Sequence, residues 1–289
     1  GKRAGAQMAI LSVHHPDVGE FIHCKDEDPQ ALSTFNISVA LTDKFMEGVK
    51  AGHDAEAILW REMCESAWKT GDPGWYFIDT AERANPTPEY GRLEATNPCG
   101  EQPLLDNESC TLGSINLSHF VHGSRLTGIP EVDWERLRAT VKLATRYLND
   151  VLDHNWFPDE SISKATYRTR NIGLGVMGWA DMLALMGIPY DSPAAIELAG
   201  QVMCSIQASA IGMSTELADN PITAHLPELP IHNGRRNASV TTIAPTGTIS
   251  ILANCSSGCE PHYALENQRR MGDGTILQEK VAILDQCGD

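Results

Sequence analysis

Apolar positions recur along the chain with two different periods. "GAQMAILSV" (5–13) places Met8, Ile10, Leu11 and Val13 in a strand-like run that ends at the turn "HHPD" (14–17). "TFNISVALT" (34–42) is a second such run, and Thr42 can cap a helix over "DKFMEGVKAG" that Gly52 stops. In "DWERLRATVKLATRYLNDVLD" (133–153), Leu137, Val141, Ala144, Leu148 and Val151 recur at steps of four and three, one face of a helix opened by Asp133. "DSPAAIELAGQVMCSIQASAIGMSTELAD" (191–219) predicts a longer helix with Ser192 as cap and Pro193 in the first turn. "NASVTTIAPTGTISILAN" (237–254) reads as a strand, a glycine-containing turn and the start of a helix. Strands separated by helices predict an α/β architecture on a mostly parallel sheet or barrel. No repeat and no Pro/Gly/Ser-rich linker divides the sequence, so residues 1–289 are expected to form part of one domain.

Composition narrows the class. With 42% hydrophobic and 21% charged residues the chain has the make-up of a soluble globular protein. No run of eighteen uninterrupted apolar residues is present, and the most apolar stretch, "IGLGVMGWADMLALMGIPY" (172–190), carries Asp181 in its middle. A net charge of −16 argues against a broad nucleic-acid-binding face, which needs clustered Lys and Arg, so a small anionic ligand would need a local device. The eight cysteines are dispersed rather than spaced as a disulfide framework, and reduced thiols in a cytoplasm fit them better. The chain starts at Gly1 and stops at Asp289 just after an apolar run, and is expected to be an internal piece of a longer polypeptide.

One candidate for the local device is "TTIAPTGTIS" (241–250). A strand that delivers small residues and a glycine to a helix start leaves backbone N–H groups pointing outward, aided by roughly half a positive charge from the helix dipole. Such a turn can cradle an anion, with hydroxyls of Thr246, Thr248 and Ser250 as further donors and Gly247 permitting close approach. It lacks the Lys of a Walker loop, and an ordinary capped helix with a tight entry turn would have the same sequence.

The second candidate is "EATNPCGEQPLLDNESCTLGSIN" (94–116), which sets Asn97, Cys99 and Glu101 at alternate positions and repeats a cysteine at Cys110. Two thiols eleven residues apart match no zinc spacing, and either could be a small buried apolar group. A carboxylate two residues from Cys99 disfavours ionising the thiol, so this cysteine suits hydrogen-atom transfer better than thiolate attack. A thiyl radical can take hydrogen from carbon while the neighbouring carboxylate takes a proton from a hydroxyl on that carbon, and two further thiols can supply electrons by becoming a disulfide.

Other patterns are less informative. Cys255, Cys259 and His262 form C-x3-C-x2-H without a second cysteine pair nearby, and no protein-ligated metal is expected. His14 and His15 read as part of a turn. Gly173, Gly175 and Gly178 match the spacing of a dinucleotide fingerprint, but "TYRTRN" before them is no strand, and helix packing is the expected reason for these glycines. Cys287 lacks a close partner that would make it a redox pair.

"NPCGEQPLL", Cys110 in "SCTLGSINL", "RNIGLGVMGWADML" and "RNASVTTIAPTGTIS" together resemble, in order, segments of the ribonucleotide reductase catalytic subunit. "NPCGE" and "APTGTIS" are most similar to the adenosylcobalamin-dependent reductases of ribonucleoside diphosphates. The resemblance implies a ten-stranded α/β barrel with the active-site loop threaded through it, reducing ribonucleotides to 2′-deoxyribonucleotides by thiyl-radical chemistry. It implies Cys99 as the thiyl-bearing residue, Glu101 as general base on the 3′-hydroxyl, Asn97 as a hydrogen-bonding partner of the substrate hydroxyls and Cys110 as one of two reducing thiols, the other lying upstream. It implies Thr246, Gly247, Thr248, Ile249 and Ser250 at the substrate diphosphate, and Lys2 and Arg3 in "GKRAGAQM" near the substrate base and an allosteric nucleotide. Implied partners are deoxynucleotide or ATP effectors, a thioredoxin-like dithiol reductant and a second copy of the full-length chain, in the cytoplasm, with neither nucleic acid nor membrane. Two alternatives stay open: the same reaction with a radical supplied by a separate metal-containing subunit, or a nucleotide-binding fragment inactive in isolation.

Overall fold

The first strand, β1 (Gln7–Ser12), lies parallel to β2 (Phe35–Leu41), with Gln7 opposite Phe35. The computed structural model describes residues 5–28, 32–123, 129–219, 232–262, 264–270, 274–281 and 283. Lys2, Arg3 and Cys287 therefore lie outside the described residues. The chain divides into two compact units, Gly1–Glu108 and Ser109–Asp289.

In the first unit, α1 (Val18–His23) connects β1 to β2, and α2 (Asp43–Ala51) with α3 (Asp54–Thr70) leads from β2 to the parallel strand β3 (Gly74–Phe77). The local signals act as expected. Thr42 Oγ1 accepts the Phe45 N–H at 3.2 Å, and Gly52 ends α2 with φ 76°. Val39 and Leu41 of β2 pack with Val13, Ile22, Phe45 and Met63 into one apolar core. Gly74 stands opposite Ser38 because an added Cβ would meet the Ser38 Oγ at 2.8 Å. The buried Lys25 donates from Nζ to the Phe35 carbonyl and to Asp72 Oδ2, so its charge is matched. After α4 (Ile78–Arg83), a short antiparallel pair, β4 (Ala95–Thr96) and β5 (Pro103–Leu104), closes the unit.

The second unit begins with β6 (Thr111–Asn116), followed by the antiparallel pair β7 (Val121–His122) and β8 (Glu131–Val132) and by α5 (Trp134–His154) and α6 (Glu160–Thr169). Next come β9 (Ile172–Met177), parallel to β6 with Ile172 opposite Thr111, then α7 (Trp179–Met186) and α8 (Pro193–Ala218). The turn helix α9 (Gly247–Ala253) and the antiparallel β10 (Glu266–Arg270) and β11 (Ile276–Lys280) complete it. Asp133 and Ser192 accept the Arg136 and Ala195 amides, the caps their sequences predict. On α5 the buried face holds Leu137, Val141 and Leu148 as expected, but it closes on Leu152 instead of Val151 and includes the polar Thr145 and Asn149. By length and composition alone α8 could cross a membrane; its Leu198, Val202, Ile206 and Ala210 instead pack into the same core as Leu137, Val141 and Leu148 of α5.

Two expectations for this unit change. The glycines of "GLGVMG" are not helical: Gly173 and Gly175 lie in β9, which is buried along its whole length. A Cβ on Gly175 would stand 2.7 Å from the Thr242 carbonyl oxygen, and Gly178 turns left-handed to open α7. The strand expected in 237–243 is reduced to a single bridge between Thr241 and Leu174, and the segment runs beside β9 through Ile172 N–H to Ser239 O, Leu174 N–H to Val240 O and Thr242 N–H to Leu174 O.

Candidate active site

The loop between β4 and β5 carries Asn97, Cys99 and Glu101 together. Asn97 organises it: its Oδ1 accepts the Gln102 N–H at 3.0 Å, its own N–H reaches the Gln102 carbonyl at 3.2 Å, and its carbonyl accepts the Gly100 N–H at 3.0 Å. Gly100, at φ 86°, makes the reversal that puts Cys99 and Glu101 on either side of it. With the amide oxygen used in closing the loop, the Asn97 NH2 group is the end left to meet a ligand. Cys99 is exposed, yet partial desolvation and then the Glu101 charge push its thiol pKa up. Glu101 presents a buried Oε2. The loop thus holds a protonated thiol beside a carboxylate, as the residue types predicted.

Cys110 lies immediately before β6, partly buried, where the Thr111 N–H donates to the Asn171 carbonyl at 3.2 Å. The "APTGTIS" turn lies at the other end of the same row of strands, after the segment that runs beside β9. Here Thr246 is left-handed, at φ 58°, a conformation that costs a β-branched residue about 1–2 kcal/mol and needs support from its surroundings. Support comes from Gly258, whose N–H donates to Thr246 Oγ1 at 2.8 Å, and from the Ser250 N–H, which donates to the Thr246 carbonyl at 2.9 Å. The helical ladder of α9 begins with that second bond, so the Gly247 and Ile249 amides precede it and have no intrahelical acceptor. Nothing lies within 4 Å of the position a Gly247 Cβ would take. The hydroxyls are distributed differently from the sequence reading: those of Thr246 and Ser250 are buried, the latter 2.9 Å from Ser257 Oγ, because the 255–258 loop packs behind the turn. Thr248 and Ile249 are exposed.

A polar cluster that periodicity did not reveal lies in the core of the second unit. Arg170, fully buried, gives Nη1 to Asp153 Oδ1 at 2.7 Å and Nη2 to Asp153 Oδ2 and Asn149 Oδ1, both at 3.0 Å. Asn237 Nδ2 donates to the Arg170 carbonyl at 2.9 Å. The partners bind one another, so the cluster holds α5, the end of α6 and the 237 segment in register. The seven described cysteines are thiols, and no group of three or more His, Cys, Asp or Glu suited to a metal occurs among the described residues. His262 instead meets Asp181 at 2.7 Å.

The family described as "Ribonucleotide reductase, barrel domain" matches residues 1–58, 55–228 and 223–287. The chain belongs to this family. Ribonucleotide reductase relatives extend the match: the vitamin B12-dependent ribonucleoside-diphosphate reductase of Thermoplasma acidophilum is 44% identical over 99% of this chain and 39% of its own length. That of Mycobacterium tuberculosis is 44% identical over 96% of this chain and 42% of its own length. The Actinobacillus ureae class Id ribonucleotide reductase alpha subunit has the same fold, with a TM-score of 0.75, 24% identity, and coverage of 97% of this chain and 52% of that one. The chain therefore spans about two fifths of the length of the curated reductases it matches. The ribonucleotide reductase fold accounts for the parallel strand pairs in each unit; among the described residues the parallel ladders join three strands in the first unit and two in the second.

Proposed function

We propose that this chain is part of the catalytic barrel of a ribonucleoside-diphosphate reductase, with residues 1–289 contributing to one catalytic domain. The observation that carries the reading is the Asn97–Gln102 loop, which keeps an exposed Cys99 thiol protonated beside Glu101. A protonated thiol is a hydrogen-atom donor, and ordinary thiolate catalysis would call for the opposite electrostatics. The names of the relatives favour adenosylcobalamin, and Cys99 fits it, being exposed and resistant to ionisation. When bound, that cofactor would supply the radical that takes the hydrogen atom from Cys99.

The remaining roles belong to the chain itself. The Cys99 sulfur takes the 3′ hydrogen of the ribose and later returns it. Glu101 accepts the 3′-hydroxyl proton, and the Asn97 NH2 group orients the ribose hydroxyls. The 2′-hydroxyl leaves as water, and Cys110 with an upstream cysteine supplies two electrons as their thiols become a disulfide. A dithiol protein of the thioredoxin type would restore them. The first-turn amides of α9 at Gly247 and Ile249, with the exposed Thr248 hydroxyl, hold the diphosphate, while Thr246 and Ser250 shape the turn. Lys2 and Arg3 connect the substrate base to a deoxynucleotide or ATP effector. A homodimer of the full-length chain in a reducing cytoplasm completes the reading. It is tested by following 3′-hydrogen exchange and deoxynucleotide formation from a ribonucleoside diphosphate in the full-length protein with adenosylcobalamin and a dithiol. Both occur if the reading is right, and loss of neither on replacing Cys99 by Ser refutes it.

A further inference from the structure

Asp181 lies in the first turn of α7 with its carboxylate almost entirely buried. Among the described residues no Lys or Arg pairs with it. Its Oδ2 accepts the Ser256 N–H at 2.6 Å, and its Oδ1 lies 2.7 Å from Nε2 of the partly exposed His262. Ser256 answers with two bonds of its own, its carbonyl accepting the Gly178 N–H at 2.8 Å and its Oγ accepting the Ala180 N–H at 3.2 Å. The amides that α7 leaves without intrahelical acceptors and the single residue Ser256 therefore clasp one another around the Asp181 carboxylate. A buried carboxylate is costly unless it is hydrogen-bonded, so this clasp has one well-defined arrangement.

The loop continuing from Ser256 is the one that supports the 246–250 turn. The Gly258 N–H holds Thr246 Oγ1, Ser257 Oγ meets Ser250 Oγ, and the Cys255 N–H donates to the Ser250 carbonyl at 3.0 Å. Gly258 is itself left-handed, and an added Cβ would crowd the Ala244 carbonyl at 3.1 Å, so the loop has little room to shift. We propose that Asp181 is a positioning residue: through Ser256 it fixes the 256–258 loop, which holds Thr246 in its strained conformation and so sets the affinity of the 246–250 turn for a nucleotide diphosphate. His262 completes the carboxylate's hydrogen bonding. The inference rests on the phosphate role proposed above for that turn.

The test uses the full-length protein, CDP and cytidine as probes, and amide hydrogen exchange across 246–258. Asp181→Ala weakens CDP binding about tenfold, the effect of losing a charge-assisted hydrogen bond, and leaves cytidine binding unchanged. Asp181→Asn, which still accepts the Ser256 N–H, restores CDP affinity to within about threefold. Exchange at Ser250 and Gly258 rises in the alanine variant and not in the asparagine one. His262→Ala, a partly exposed position that folding tolerates better, shows the same selectivity for CDP at smaller amplitude. Unchanged exchange in Asp181→Ala, or no effect of His262→Ala on CDP, overturns the clasp. Raised exchange with undiminished CDP affinity, or with CDP and cytidine weakened alike, overturns the inference by removing the phosphate role while leaving the clasp standing.

Discussion

Asn97 Oδ1 accepts the Gln102 N–H at 3.0 Å, and that bond closes a loop in which Cys99 and Glu101 flank the left-handed Gly100. The same side chain thus shapes the loop with its oxygen and leaves its NH2 end for a ligand. The two duties separate by substitution. Asn97→Asp keeps the acceptor and loses the donor, so Gln102 amide exchange stays slow while turnover in the full-length protein falls about tenfold. Asn97→Ala loses both, and Gln102 exchange speeds up by the factor expected for about 1 kcal/mol.

The Cys99 thiol is held above its ordinary pKa first by desolvation and then by Glu101. Less thiolate is present at any given pH near 8 than for an ordinary cysteine, so iodoacetamide should alkylate Cys99 slowly, with a midpoint displaced to higher pH. Glu101→Gln removes only the second cause, so the midpoint moves down without reaching the ordinary value. A midpoint unmoved by this substitution would show that the carboxylate does not govern the thiol.

The two cysteines should fail differently. In the full-length enzyme, Cys99→Ser abolishes exchange of the substrate 3′ hydrogen, because an alkoxyl radical is much harder to form than a thiyl radical. Cys110→Ser retains exchange and loses deoxynucleotide yield. Glu101→Gln slows exchange by about 10²-fold or more, the usual contribution of a general base. Exchange and yield are measured separately on each variant, and normal product formation by Cys110→Ser with dithiol present would remove its assigned role.

Gly247 faces open space on the side where a Cβ would project. Gly247→Val is therefore expected to fold normally, with an unchanged melting temperature to within a few degrees, and to weaken CDP about tenfold while sparing cytidine, since only the diphosphate needs the close approach. Calorimetric titration of both ligands decides it; equal losses would assign the turn to something other than phosphate.

The Arg170 cluster makes a stability prediction. Asp153→Ala leaves a fully buried guanidinium with only Asn149 as its neutral partner and should cost about 2–3 kcal/mol in denaturant unfolding. Asp153→Asn, which still accepts one bond, should cost about half as much. The half-exposed position of Asp153 holds the figure below that of a fully buried pair.

Helix caps and the placement of the Asn97–Glu101 loop, which depend on neighbours within a few residues, were legible from the sequence. Thr42, Asp133 and Ser192 cap their helices because a hydroxyl or carboxylate reaches an amide two or three positions on. Asn97, Cys99 and Glu101 share a loop because a proline and a glycine turn the chain between them, and Glu101 raises the Cys99 pKa from two residues away. Tertiary structure decided the rest. β9 has no alternation to read, because a parallel strand buried on both faces needs none, and its Gly175 answers to a carbonyl at Thr242, far along the chain. Asn149 sits on a mostly apolar helical face because Arg170 and Asn237 satisfy it there. The hydroxyls of Thr246 and Ser250 turn inward because Gly258 and Ser257, beyond the helix, offer them partners, and Asp181 governs that loop from another element altogether. Local periods and caps are set by backbone geometry that every sequence shares, whereas hydrogen-bond partners in the core are set by which distant segments the fold brings together.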